Sequence, residues 1–153
     1  MHLKEQYEIV SGPNQFHILN RKKIIADVRV FLTDKDIQHV EVQTPDQVYL
    51  KSEFDISMTR VPGLSRSLYY YDQEVAQFIY QNMFSYVCKT WMENIYSFMI
   101  SSTAIEVFDE KKHVKIAEIT KIIHNNHIYI TFEECIYQPL KLVIALFPCL
   151  RFI

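Results

Sequence analysis

Ile25-Ala26-Asp27-Val28 returns as Val75-Ala76-Gln77-Phe78 and again as Ile116-Ala117-Glu118-Ile119: an aliphatic residue, an alanine, a polar residue and an apolar one. A polar turn led by Asn or Asp precedes every copy, at Asn20-Arg21-Lys22-Lys23, Asp72-Gln73-Glu74 and Asp109-Glu110-Lys111-Lys112-His113. Asn and Asp favour turns because their side chains bond nearby backbone amides. Before each turn stands a run rich in the β-branched and aromatic side chains that suit a pleated surface: Phe16-His17-Ile18-Leu19, Leu68-Tyr69-Tyr70-Tyr71 and Ile105-Glu106-Val107-Phe108. Each copy therefore reads as a β-hairpin, and its recurrence marks a repeated architecture.

Working outward, one more strand is expected before each hairpin, at Tyr7 to Val10, Phe54 to Met58 and Tyr96 to Ile100. Another is expected after each, at Ile37 to Val42, Phe84 to Lys89 and His127 to Phe132. Three units of four strands make about twelve, more than one open twisted sheet carries without curling or splitting. In Ile128-Tyr129-Ile130-Thr131-Phe132 and Val114-Lys115-Ile116 alternate positions differ in character, giving one buried and one wet face. The sheet is expected to close on itself or to fold into two packed layers.

The pattern changes after Glu133-Glu134. Gln138-Pro139 can open a helix, because Pro at the first helical position loses no hydrogen bond. Leu140-Lys141-Leu142-Val143-Ile144-Ala145-Leu146-Phe147 then lacks a polar face, the mark of a helix surrounded by protein. It is too short to cross a bilayer, which takes about 20 residues, so no transmembrane segment is expected. Pro148 is expected to kink or stop it.

A chain of 153 residues, 49% hydrophobic, fits a single domain spanning 1–153, and that length buries roughly 68–70% of its unfolded surface without a metal or disulfide. Its 16 Lys and Arg against 18 Asp and Glu, net charge -2, lack the basic excess with which nucleic-acid binders neutralise phosphates. The 2 glycines, Gly12 and Gly63, leave no phosphate-cradling loop. Cys88, Cys135 and Cys149, odd in number and without a CxxC, suit a reducing compartment. Met1-His2-Leu3-Lys4-Glu5-Gln6 places charge where a signal peptide needs its apolar stretch, so the expectation is a cytoplasmic protein, peripheral at the membrane if it binds lipid.

No constellation specifies a reaction. His124-Asn125-Asn126-His127 has the spacing of a metal pair on a helix but reads as a turn between strands. Cys88 beside Lys89 is the least implausible nucleophile, since a neighbouring cation lowers a thiol pKa, yet no base is marked for it. Asp34/Asp36 and Glu133/Glu134 look like solvated loop residues. No catalytic residue, cofactor or metal is therefore expected. The basic groups Arg21-Lys22-Lys23 and Lys111-Lys112-His113-Lys115 fall on equivalent turns of the repeat, where they would either pool charge toward an anionic surface or simply solubilise hairpin tips. Trp91 is a candidate interfacial anchor or a cap on the core.

At this point the chain resembles the tubby C-terminal-like group, which includes the LURP-one-related proteins, small bacterial relatives and the phospholipid scramblases. The resemblance is carried by the three turn-plus-alanine motifs and by Leu142-Val143-Ile144-Ala145-Leu146-Phe147, and it covers most of the chain. It implies a mainly β fold: an antiparallel barrel of about twelve strands, in three four-stranded units, closed around a C-terminal hydrophobic helix. Tubby domains bind phosphoinositide head groups. Their basic site has no residue-by-residue counterpart here, so the resemblance implies only a general affinity for anionic lipid or a membrane surface. The leading reading is a non-enzymatic binding module with Arg21, Lys22, Lys23, Lys111, Lys112 and Trp91 as ligand-binding residues. The alternative is a structural or protein-interaction domain with no small ligand, and an enzyme using Cys88 or a histidine is a distant third.

Overall fold

The three alanine motifs occupy equivalent places in one closed sheet. The computed structural model describes residues 4–33, 36–58, 62–122 and 127–151. Its strands are β1 (Glu5–Gly12), β2 (Gln15–Asn20), β3 (Lys23–Leu32), β4 (Ile37–Gln43), β5 (Tyr49–Asp55), β6 (Ser65–Tyr70), β7 (Gln73–Asn82), β8 (Ser85–Thr90), β9 (Ile95–Ile100), β10 (Ala104–Asp109), β11 (Val114–Ile122) and β12 (His127–Phe132). Each is antiparallel to its neighbour in sequence, and β12 returns to β1, from Glu5 against Phe132 to Val10 against His127. Closure removes the exposed strand edges that an open sheet must protect.

The repeat has a structural cause. In β2–β3, Ile18 pairs with Ala26 and Leu19 with Ile24, so Ile25 is the extra residue of a bulge. Leu68 pairs with Ala76 and Tyr69 with Glu74, leaving Val75 extra, and Val107 pairs with Ala117 and Phe108 with Lys115, leaving Ile116 extra. A bulge bends its strand and adds twist, which a curling barrel wall needs. Both motif residues then pack toward the core, Ile25 and Val75 partly buried and Ile116 fully, with Ala26, Ala76 and Ala117 buried beside them. Alanine is the side chain small enough for that second place.

The helix α1 (Gln138–Arg151) fills the lumen. Val143 to Phe147 are all at most 2% exposed, five consecutive residues that cover every helical face. Phe147 stacks on Phe98 at 4.1 Å and meets Tyr86 edge-on at 5.0 Å, tying the helix to the wall. Because β12 ends at Phe132 just before the helix begins, α1 enters by the mouth that holds the β2–β3, β8–β9 and β10–β11 turns; we call this the proximal mouth. There the buried Lys141 ammonium pairs with Glu5 and lies 5.9 Å over the Phe132 ring.

Two expectations are corrected. The strand placed at Phe54 to Met58 is instead Tyr49–Asp55, and Ile56–Met58 is a turn of 3-10 helix. Ser52, 1% exposed, faces the lumen and breaks the hydrophobic alternation that would have revealed β5. Of the kink or stop expected at Pro148, the stop does not occur: the helix runs on to Arg151. Pro148 removes one N–H, and enclosure of the helix outweighs that loss.

Candidate functional site

All six residues expected to bind a ligand are exposed and sit at the proximal mouth: Arg21, Lys22 and Lys23 at the β2–β3 turn, Trp91 at β8–β9, and Lys111 and Lys112 at β10–β11. The β8–β9 and β10–β11 turns are neighbours on the rim, while β2–β3 stands four strands beyond β10–β11, across the place where the helix enters. Tyr71, 74% exposed on the β6–β7 turn, extends the aromatic arc on the other side of Trp91.

Local chemistry presents these cations. Of the two acids on this turn Asp109 is withdrawn from solvent, whereas Glu110 is exposed and offsets part of the charge of Lys111 and Lys112. Asp109 is buried, and its Oδ1 accepts from the amides of Lys111 at 3.0 Å and Lys112 at 3.2 Å; the Glu110 carboxylate accepts from the Ser97 hydroxyl. Arg21 and Lys22, with φ of 53° and 65°, form the two-residue loop between the paired residues Asn20 and Lys23. Positive φ at both centres is the signature of a type I′ turn, whose preferred occupants are Asn-Gly. Arg21 and Lys22 therefore hold their charges on strained backbone.

Three other basic residues are spent on carboxylates: Arg29 on Glu41, Lys141 on Glu5, and Lys115 on Glu106 at 3.2 Å, Glu118 at 3.4 Å and Glu133 at 3.9 Å. Lys115 thus leaves the basic group in which the sequence placed it. Among the described residues none of Arg21, Lys22, Lys23, Lys111 and Lys112 forms an ion pair. A pocket of about 270 Å³ opens beside Lys112, lined also by Asn94, Tyr96, Asp109, Glu134 and Tyr137.

The other chemical candidates part company. Cys88 is fully buried and burial pushes its thiol up, opposite to the expected effect of Lys89, because successive strand residues face opposite sides and Lys89 points outward. Cys149 is likewise buried with a raised thiol, and Cys135 is exposed. His127 lies on β12 with Nδ1 2.6 Å from Glu8 Oε1, across the seam that closes the barrel. His124, Asn125, Asn126 and Asp34 lie outside the described residues. Among the described residues no three His, Cys, Asp or Glu side chains are placed to hold a metal ion, and no helix is long and apolar enough to cross a membrane.

One arrangement escaped the sequence reading. Arg66 near the start of β6 points into the lumen at the opposite, distal mouth, where it is 9% exposed. Its Nε donates to Ser52 Oγ at 3.0 Å, its Nη1 donates to Gln38 Oε1, and its guanidinium lies 5.3 Å from the Phe54 ring centroid. Its Nη2 is buried with no hydrogen-bond partner among the described residues. Burial lowers the guanidinium to about 10. The one signal in Ser65-Arg66-Ser67-Leu68 is parity: Arg66 alternates in phase with the inward Leu68. No protein-family model, curated protein or solved structure matches this chain.

Proposed function

We propose that the protein is a non-enzymatic binding module that docks its proximal mouth on an anionic lipid surface, peripheral to the membrane on its cytoplasmic face. The observation that carries this reading is the gathering at one mouth of five cations without ion-pair partners among the described residues, together with the exposed Trp91. Each Lys or Arg near such a surface contributes about 1 kcal/mol, screened over about 8 Å at physiological ionic strength, so five together supply several kcal/mol. The net charge of -2 opposes long-range attraction, which gives the apolar anchor Trp91 and the adjoining aromatic arc their part in retention. The resemblance to the tubby-like group implies the same class of partner.

Sedimentation with phosphatidylcholine vesicles of increasing phosphatidylserine content tests it. Binding is expected to rise with anionic lipid, fall with salt, and weaken in Lys22→Glu/Lys23→Glu. The pair Arg21→Asn/Lys22→Gly separates function from folding: it relaxes the strained turn and should stabilise the fold while weakening vesicle binding. Binding absent at low salt, or untouched by either pair, would transfer the argument to protein interaction. The exposed Leu32, Met83 and Phe84 at the distal mouth are the apolar residues such a partner would cover.

A further inference from the structure

We propose that Arg66 is the centre of an oxyanion-binding site, taking a carboxylate or phosphate group at the distal mouth, beyond the last paired residues of β5 and β6. Charge accounting leads there first. Among the described residues three charged side chains are buried, Arg66, Asp109 and Lys141. Lys141 has Glu5, and Asp109 has the amides of its turn. Arg66 has no carboxylate at ion-pair distance among the described residues. An uncompensated buried charge is costly, and an apolar side chain of the same volume is usually the more stable occupant.

The donors tell the same story. As a stitch between strands, Arg66 needs only the two bonds it makes to Ser52 and Gln38. That role leaves unexplained the Nη2 hydrogens, which are buried and have no acceptor among the described residues. A guanidinium already oriented by two neutral acceptors and held against an aromatic face is preorganised for an oxyanion, its planar fork matching carboxylate and phosphate geometry.

The wall is least laced beside Arg66. The ladder between β5 and β6 holds Leu50 against Tyr70 and Lys51 against Tyr69 and then ceases, whereas β4 and β5 pair continuously from Gln43 against Tyr49 to Ile37 against Asp55. Ser52, Phe54 and Arg66 all lie on the distal side of the last β5–β6 pair, so the charge sits where the wall is unlaced.

Thermal midpoints measured with sodium phosphate or sodium acetate replacing sodium chloride at constant ionic strength test the site in the whole protein. The wild type should show a saturable rise with one of the two anions, phosphate identifying a phosphate site and acetate a carboxylate site. Arg66→Met should weaken the apparent affinity at least about tenfold, one charged hydrogen bond's worth. Arg21→Asn/Lys22→Gly should leave the response intact, which separates this site from the proximal rim. Should Arg66→Met not fold, wild-type protein labelled with 15N-arginine gives a second reading: the solvent-protected Nε–H resonance should shift saturably with the same anion. No midpoint response beyond chloride, together with an unmoved protected resonance, overturns the proposal.

Discussion

Cys88, Cys149, Tyr7 and Tyr96 are acids that the barrel holds in their neutral forms. Burial pushes both thiols and the Tyr7 hydroxyl up, and raises Tyr96 to about 12 by burial first and then by Asp109 and Cys88 nearby. In the unfolded chain a thiol loses its proton near pH 8.5 and a tyrosine near 10. Above those values the unfolded state binds fewer protons than the native state, so stability falls as pH rises, by about 1.4 kcal/mol per pH unit for each group. Arg66, whose folded pKa is lowered, acts in the opposite sense above about 10. The window from pH 8.5 to 10 therefore isolates the thiols. Urea midpoints should hold level to pH 8 and fall through that window, and the double variant Cys88→Ala/Cys149→Ala should flatten the fall. A wild-type curve flat to pH 10 would show that neither thiol is enclosed. Residue chemistry was the least legible scale in the sequence. Adjacency suggested that Lys89 acts on Cys88, but the pleat separates them, and the inward turn of Arg66 is marked only by parity with Leu68.

At the scale of elements, the hairpins were legible because turn chemistry and alternation agreed with tertiary demand, as they do at Phe16–Leu19 inside β2 and at His127–Phe132, which is β12 itself. Where they disagreed the reading slipped. β5 buries Ser52 to meet Arg66, and its register was displaced toward the more apolar Phe54 to Met58. Pro148 carries a local stop signal that enclosure overrides. The bulges explain why alanine recurs, and they yield a test. Leucine at Ala26, Ala76 or Ala117 adds volume beside a bulged residue already packed on the core, and overpacking of this kind costs about 1–3 kcal/mol. Ala117→Leu should be the worst, since its bulged neighbour Ile116 is 3% exposed whereas Ile25 and Val75 are only partly buried. Urea denaturation of the three variants gives the ranking, and an Ala117 variant as stable as the wild type would dissolve this account of the repeat.

For the whole molecule, wall and helix each supply what the other lacks. A twelve-stranded barrel is too wide for its own side chains to fill, and a helix apolar on every face has no stable place in water. Their joining buries Phe147 among Phe78, Tyr86 and Phe98 from the strands of the second and third repeats. It also positions Lys141 to meet Glu5 on the first strand, so the end of the chain secures its beginning. With wall and helix so interdependent, the 12 strands are expected to unfold together, and one substitution on the helix should be felt everywhere. Ile144 is 0% exposed, and Ile144→Asp would place an unpaired carboxylate in that interior at a cost of several kcal/mol against a typical total of 5–15. The variant should fail to fold, showing no cooperative melt and no dispersed amide spectrum. Tyr137→Asp, just before the helix at a residue 59% exposed, should melt close to the wild type and rules out a general intolerance of added charge. A soluble Ile144→Asp protein with a cooperative transition would mean that the helix lies outside the wall, and the lumen geometry built on its enclosure would go with it.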